Sequence, residues 1–132
     1  MRYPVMINEA DLQEYGNTVI DDKTEEKKVF YLAHAIIYDF VIFSSLRSWR
    51  KKVIEQYRGQ VEAELKEAIV LTAVSIYESG NTTALYDGIE RLDGGSIEFK
   101  DLQERMTSIV PPIVWNILFS IEPSLLFNGG EI

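Results

Sequence analysis

The chain carries a single histidine and no cysteine, so few of its side chains can act as bases, nucleophiles or soft metal ligands. His34 could serve as a general base if a hydroxyl or carboxylate stood within hydrogen-bond reach. The spacing supplies none: Asp39 lies five positions on, off the same face of a helix. The neighbours of His34 are apolar, and the residue reads as a core or interface histidine making one hydrogen bond. The lack of cysteine excludes disulfides, thiol catalysis and Cys-ligated zinc, and suits an intracellular protein.

Other candidates are weaker still. Asp87, Asp93 and Glu98 invite a calcium reading, but their spacing departs from the calcium-loop pattern, and solvated turns account for them. Asp93-Gly-Gly-Ser96 lacks the downstream Gly-Lys-Ser/Thr of a phosphate-binding loop. Arg47, Arg50, Lys51 and Lys52 put four cations into six residues. With Trp49, Tyr57 and Arg58 nearby, they could touch phosphate or hold a single strand. Both aromatics fall on an apolar stripe, however, so core packing beside a solvated cationic face explains the same residues. No metal set, nucleophile or acid/base pair emerges, which argues against an enzyme and calls for no cofactor.

The elements that position these residues are mostly helical. Asn8 can cap a short helix with Glu9 and Asp11 in its first turn, and Gly16 is a natural stop. A second helix opens at Thr24 after Asp21-Asp22. Its apolar residues spread nearly all round over 29–43, with a strand possible at 41–46. Helices follow at about 47–58 and 60–79, the latter apolar from Ala68 to Ile76 and so central, with Gly80-Asn81 closing it. The stretch 82–100 is rich in turn residues and reads as an exposed, irregular or hairpin-like excursion. Within it, Ile89 to Leu92 is a short strand or helical turn, and 97–99 alternates like an edge strand. A helix from Asp101 to about Val110 precedes Pro111-Pro112, which starts the last helix, ending near Glu122-Pro123. Residues 122–132 form a tail. The expectation is an all-α bundle of about four to five helices in one domain spanning 1–132, with its core over about 8–121.

Length and composition agree. The 132 residues are 46% hydrophobic and 26% charged, enough for a core without wholesale disorder. The net charge of −8 makes nucleic-acid wrapping a poor fit. Residues 1–7 are too short and too soon interrupted for a signal peptide. No run is long and clean enough to suggest a membrane span. Asn81-Thr-Thr83 matches a glycosylation sequon that means little without a secretion signal.

One stretch stands apart. LKEAIVLTAVSIYES, residues 65–79, resembles the signature helix of the small head–tail connector (adaptor) proteins of tailed phages, an apolar, Ala-rich helix ending in Tyr-Glu. VPPIVWNIL, residues 110–118, is similar to that family's proline-led closing segment, and NEADLQEY, residues 8–15, sits where members carry a short capped helix. The resemblance covers about half the chain. The arginine that often follows the Tyr-Glu end is absent, with Gly80-Asn81 there instead.

The resemblance implies an all-helical virion protein at the head–tail junction, assembled in the host cytoplasm. It would form a homo-oligomeric ring of about twelve subunits between the portal and the tail or stopper proteins. DNA would pass without specific binding, repelled by net negative charge. No membrane contact is implied. The candidate contacts are then Phe40 and Phe43 on the all-round apolar helix, Tyr77 and Glu78 at the end of the signature helix, and Leu125, Leu126 and Phe127 on an arm. The alternative is a non-enzymatic binding or regulatory module that uses 47–58 to contact nucleic acid or a protein partner.

Overall fold

A computed structural model describes residues 5–42, 58–93 and 99–120. Among these residues the chain is all-α. Helix α1 spans Glu9–Gly16 and α2 spans Lys23–Ala35, running straight into a π-helical segment, Ile36–Ile42. Helix α3 is Arg58–Ser79, α4 Thr82–Asp93, α5 Phe99–Ser108 and α6 Pro112–Ser120.

The first two helix starts follow from their caps. The Asn8 side chain accepts from the Asp11 amide at 2.9 Å, and the Asp11 carboxylate accepts from the Asn8 amide at 3.0 Å, a reciprocal box. Asp22 caps α2 by accepting from Thr24 and Glu25. The stop after α1 differs from expectation. Asn17, not Gly16, takes the left-handed conformation, with φ 47°. Its amide donates back to Gln13 and its short amide side chain tolerates that region. Gly16 is the last helical residue, at a place where α3 leaves no room for a larger side chain.

Helix α3 is the post around which the rest is arranged. It packs against α1, α2, α4, α6 and the π segment. Leu65, Ala68, Ile69, Val70, Ala73 and Ile76 are fully buried along it, each large side chain worth roughly 1.5–3 kcal/mol over exposure. Thr72 is equally buried and satisfies its hydroxyl by donating to the Ala68 carbonyl at 2.9 Å.

The π segment holds Ile36, Ile37, Tyr38, Phe40 and Val41, all buried. Its i→i+5 bonding makes a wider turn than an α-helix. That winding spreads bulky neighbours around the axis and suits a helix covered on most sides. It places Val41 and Ile42 in helix, against the strand considered from 41; positions 43–46 lie outside the described residues.

Two further expectations change. The stretch 82–93 is a helix, not a loop or hairpin. Leu85 and Ile89, one helical turn apart, are both buried. Their burial outweighs the roughly 1 kcal/mol cost of keeping Gly88 in a helix. Asp87-Gly88, which resembled a turn, is one turn of α4, and residues 89–92 are helical. Phe99 opens α5, so it is not an edge-strand residue; 97 and 98 lie outside the described residues. The described chain therefore holds six α-helices and a π segment, more than the four or five expected. Of the helix expected over 47–58 only Arg58 is described, and it opens α3, which runs on through Gly59; 47–57, the middle of the loop at 94–98 and the arm 122–132 lie outside the described residues.

The last turns meet the post. Val110, Val114 and Leu118 are buried, and the Ser75 hydroxyl on α3 donates to the Ile109 carbonyl at 2.9 Å. Pro112 occupies the first position of α6, where its missing N–H costs nothing.

Candidate functional site

His34 sits near the carboxyl end of α2, 3% exposed. Its Nδ1 lies 2.6 Å from the Phe30 carbonyl, and its Nε2 lies 3.0 Å from the Ile7 amide nitrogen. A carbonyl only accepts and an amide N–H only donates, so the partners fix a neutral imidazole with the proton on Nδ1. Burial lowers its pKa from the ordinary value, opposed by the Phe30 carbonyl. The core-histidine expectation holds, with two ring bonds where one was anticipated. The second was not legible, because Ile7 is 27 positions away in sequence.

One helical step further, the Tyr38 hydroxyl accepts from the Val5 amide at 3.1 Å. Residues 5–7 therefore lie across the junction of α2 and the π segment. Val5 and Ile7 are turned inward at 3% and 6% exposure, and Met6 points outward.

Among the described residues, two charged clusters fasten the helices. Lys23 pairs with Glu9 and lies 3.7 Å from Glu26. Lys23 holds the Glu9 carboxyl below its usual range, while burial, and then the Glu9 charge, push Glu26 above it. Lys66 on α3 reaches Asp11 at 3.4 Å and Glu62 at 3.9 Å. Neither cluster places a nucleophile beside a base.

Shallow clefts among the described residues include two of similar size. One, of about 310 Å³, lies between the amino ends of α2 and α4 and is lined by Asp22, Thr24, Glu25, Lys28, Thr82 and Thr83. Its charges are mixed in sign. The Thr82 hydroxyl is buried without a partner. The other, of about 300 Å³, lies beside α1, with Leu12 and Val19 among its walls. Among the described residues no three His, Asp or Glu side chains are placed to hold a metal ion. No described helix is long and apolar enough to cross a membrane.

The predicted contact residues separate by position. Phe40 is 3% exposed, its ring inside the chain's own core. Tyr77 is half-buried against the core and Glu78 is exposed. Beyond them the Ser79 hydroxyl donates to the Ile76 carbonyl at 2.7 Å and accepts from the Asn81 amide at 3.1 Å. Gly80 turns the chain with φ +72°. Asp87 lies exposed on α4. Phe43, Arg47, Arg50, Lys51, Lys52, Leu125, Leu126 and Phe127, with Trp49, Tyr57 and Glu98, lie outside the described residues. A surface pair that sequence reasoning passed over joins α2 to α4. Tyr31 and Tyr86 meet edge to face at 5.5 Å, with the Lys28 ammonium 5.3 Å from the Tyr86 ring centre.

Comparison with protein-family models, with curated proteins and with solved structures finds no match.

Proposed function

We propose that this chain is a non-enzymatic structural protein of the head–tail connector kind. In this reading it forms a ring that docks on a phage portal, joins it to the tail and leaves a channel for DNA. One observation supports the reading most. The two segments that resemble the connector family, 65–79 and 110–118, are separated by thirty residues of sequence yet pack together, with Ser75 bonded to the carbonyl of Ile109 just ahead of the second segment. The Tyr-Glu end of α3 adds to it. Tyr77 buries its ring against the core while Glu78 stands in solvent, an arrangement suited to contact with a partner rather than to catalysis.

Light scattering coupled to size-exclusion chromatography tests the proposal, on the protein alone and mixed with portal rings. Co-elution with the portal as a complex of fixed stoichiometry is the expected result. A chain that stays monomeric alone and ignores the portal would overturn it.

A further inference from the structure

The contacts of residues 5–7 are unusual in kind. This segment is fastened to the helix beneath it through main-chain donors and side-chain acceptors: Ile7 N–H to His34 Nε2, and Val5 N–H to the Tyr38 hydroxyl. One of those acceptors is an imidazole, whose ring nitrogen stops accepting once it binds a proton. We propose that residues 5–7 form an acid-released strap, held closed by neutral His34 and let go when that ring is protonated.

The geometry requires the coupling. With Nδ1–H already committed to the Phe30 carbonyl, an added proton can go only to Nε2, where it faces the Ile7 N–H. Two donors then oppose each other at a distance that was a hydrogen bond. Turning the ring over offers no escape, because the imidazolium donates from both nitrogens. Closure must therefore weaken by about tenfold for each pH unit below the open-state titration of His34, ordinarily near 6.5, until the lowered closed-state value is reached.

Residues 5–8 carry no ionisable side chain. Charged groups on the described elements that pack against α2 include Asp39 on the π segment, Lys66 and Glu67 on α3, and Asp87 on α4. Burial lowers the pKa of His34 and the Phe30 carbonyl opposes that shift. Asp11 and Lys66 are engaged with each other. Tyr38, the second anchor, keeps its proton throughout the acid range. It has no part in the trigger and sets only how firmly the strap is held. Release would uncover the surface now beneath Val5 and Ile7 and free the α2–π junction that the strap bridges.

Amide hydrogen exchange by NMR on the full chain, between pH 7.5 and 5.0 and corrected for intrinsic chemical exchange, tests this alongside titration of the His34 ring signals. Protection of Ile7 is expected to fall about tenfold or more as the ring titrates, while Ile69 and Ile76 in α3 keep theirs. His34→Gln retains an acceptor that cannot charge and should hold Ile7 at both pH values. Tyr38→Phe removes the other anchor and should raise the titration midpoint of His34 towards 6.5. If His34→Gln does not fold, the Tyr38→Phe shift decides alone. Constant protection of Ile7 through the titration of His34 would overturn the proposal. So would equal release in His34→Gln, an unmoved midpoint in Tyr38→Phe, or loss of protection in α3 in step with Ile7.

Discussion

Gly16 and Val70 are pressed together where α1 crosses α3. A β-carbon placed on Gly16 would lie 2.8 Å from Val70 Cγ1, and as close to Val74 Cγ2. This glycine is required for its size, since the left-handed turn falls on Asn17. Gly16→Ala should lower unfolding free energy by about 1–3 kcal/mol through overpacking, even though alanine alone favours a helix by about 1 kcal/mol. Urea denaturation reads the difference, and adding Val74→Ala should recover part of it. A more stable Gly16→Ala protein would show that the helices are not in this contact.

The capping box on α1 makes a graded prediction. Asn8→Ala removes one cap and should cost about 1 kcal/mol. Asp11→Ala removes the other half of the box and also leaves Lys66 without its interhelical partner. It should therefore cost more than Asn8→Ala. A double-mutant cycle with Lys66→Met isolates the ion-pair share, which the partial burial of both side chains should make measurable.

Glu26 should respond in the opposite sense to most charge deletions. Its folded-state pKa is raised, so ionising it disfavours the fold above that pKa, and the disfavour vanishes once pH drops below the unfolded value. Glu26→Gln is expected to melt higher than the parent at pH 7. The advantage should disappear near pH 4, where both states of the parent are becoming protonated. Lys23 keeps Glu9 as partner in either protein. A lower melting temperature at pH 7 would mean that attraction to Lys23 outweighs burial.

Two neighbouring positions on α3 separate folding from docking. Ile76 is fully buried, and Ile76→Ala should cost about 2–5 kcal/mol. Glu78 is exposed two residues on. Glu78→Arg should leave the melting temperature nearly unchanged while weakening association with portal rings. Calorimetry and the co-elution assay give the two readouts. An unaffected complex would remove this end of α3 from the proposed interface.

What the sequence revealed followed from local rules. Asn8 announced its helix through capping chemistry, the turn-like Asp21-Asp22 marked where the next would open, and the apolar density from Ala68 to Ile76 marked the central post, because only a helix surrounded by others can afford it. Pro111-Pro112 located the start of α6. Failure came where a local signal was overruled by packing at a distance. Asp87-Gly88 looked like a turn, but Leu85 and Ile89 bury on a common face and carry the glycine with them. The π winding of Ile36–Ile42 has no marker beyond crowded bulky residues, which fit a strand as well. Of the His34 site, the burial was legible. Its partner was not, because a backbone amide 27 residues away leaves no trace in residue type.

The strap has a consequence for how its sequence can vary. His34 and Tyr38 hold peptide N–H groups, which every amino acid but proline supplies. The anchors are thus blind to side-chain identity: positions 5 and 7 can drift among apolar residues that fit beneath, and the latch persists. Proline at either position is the substitution that no repacking can accommodate, because the bond it deletes belongs to the chain itself. Pro4 stands one residue before the first anchor, where a proline leaves both donors intact.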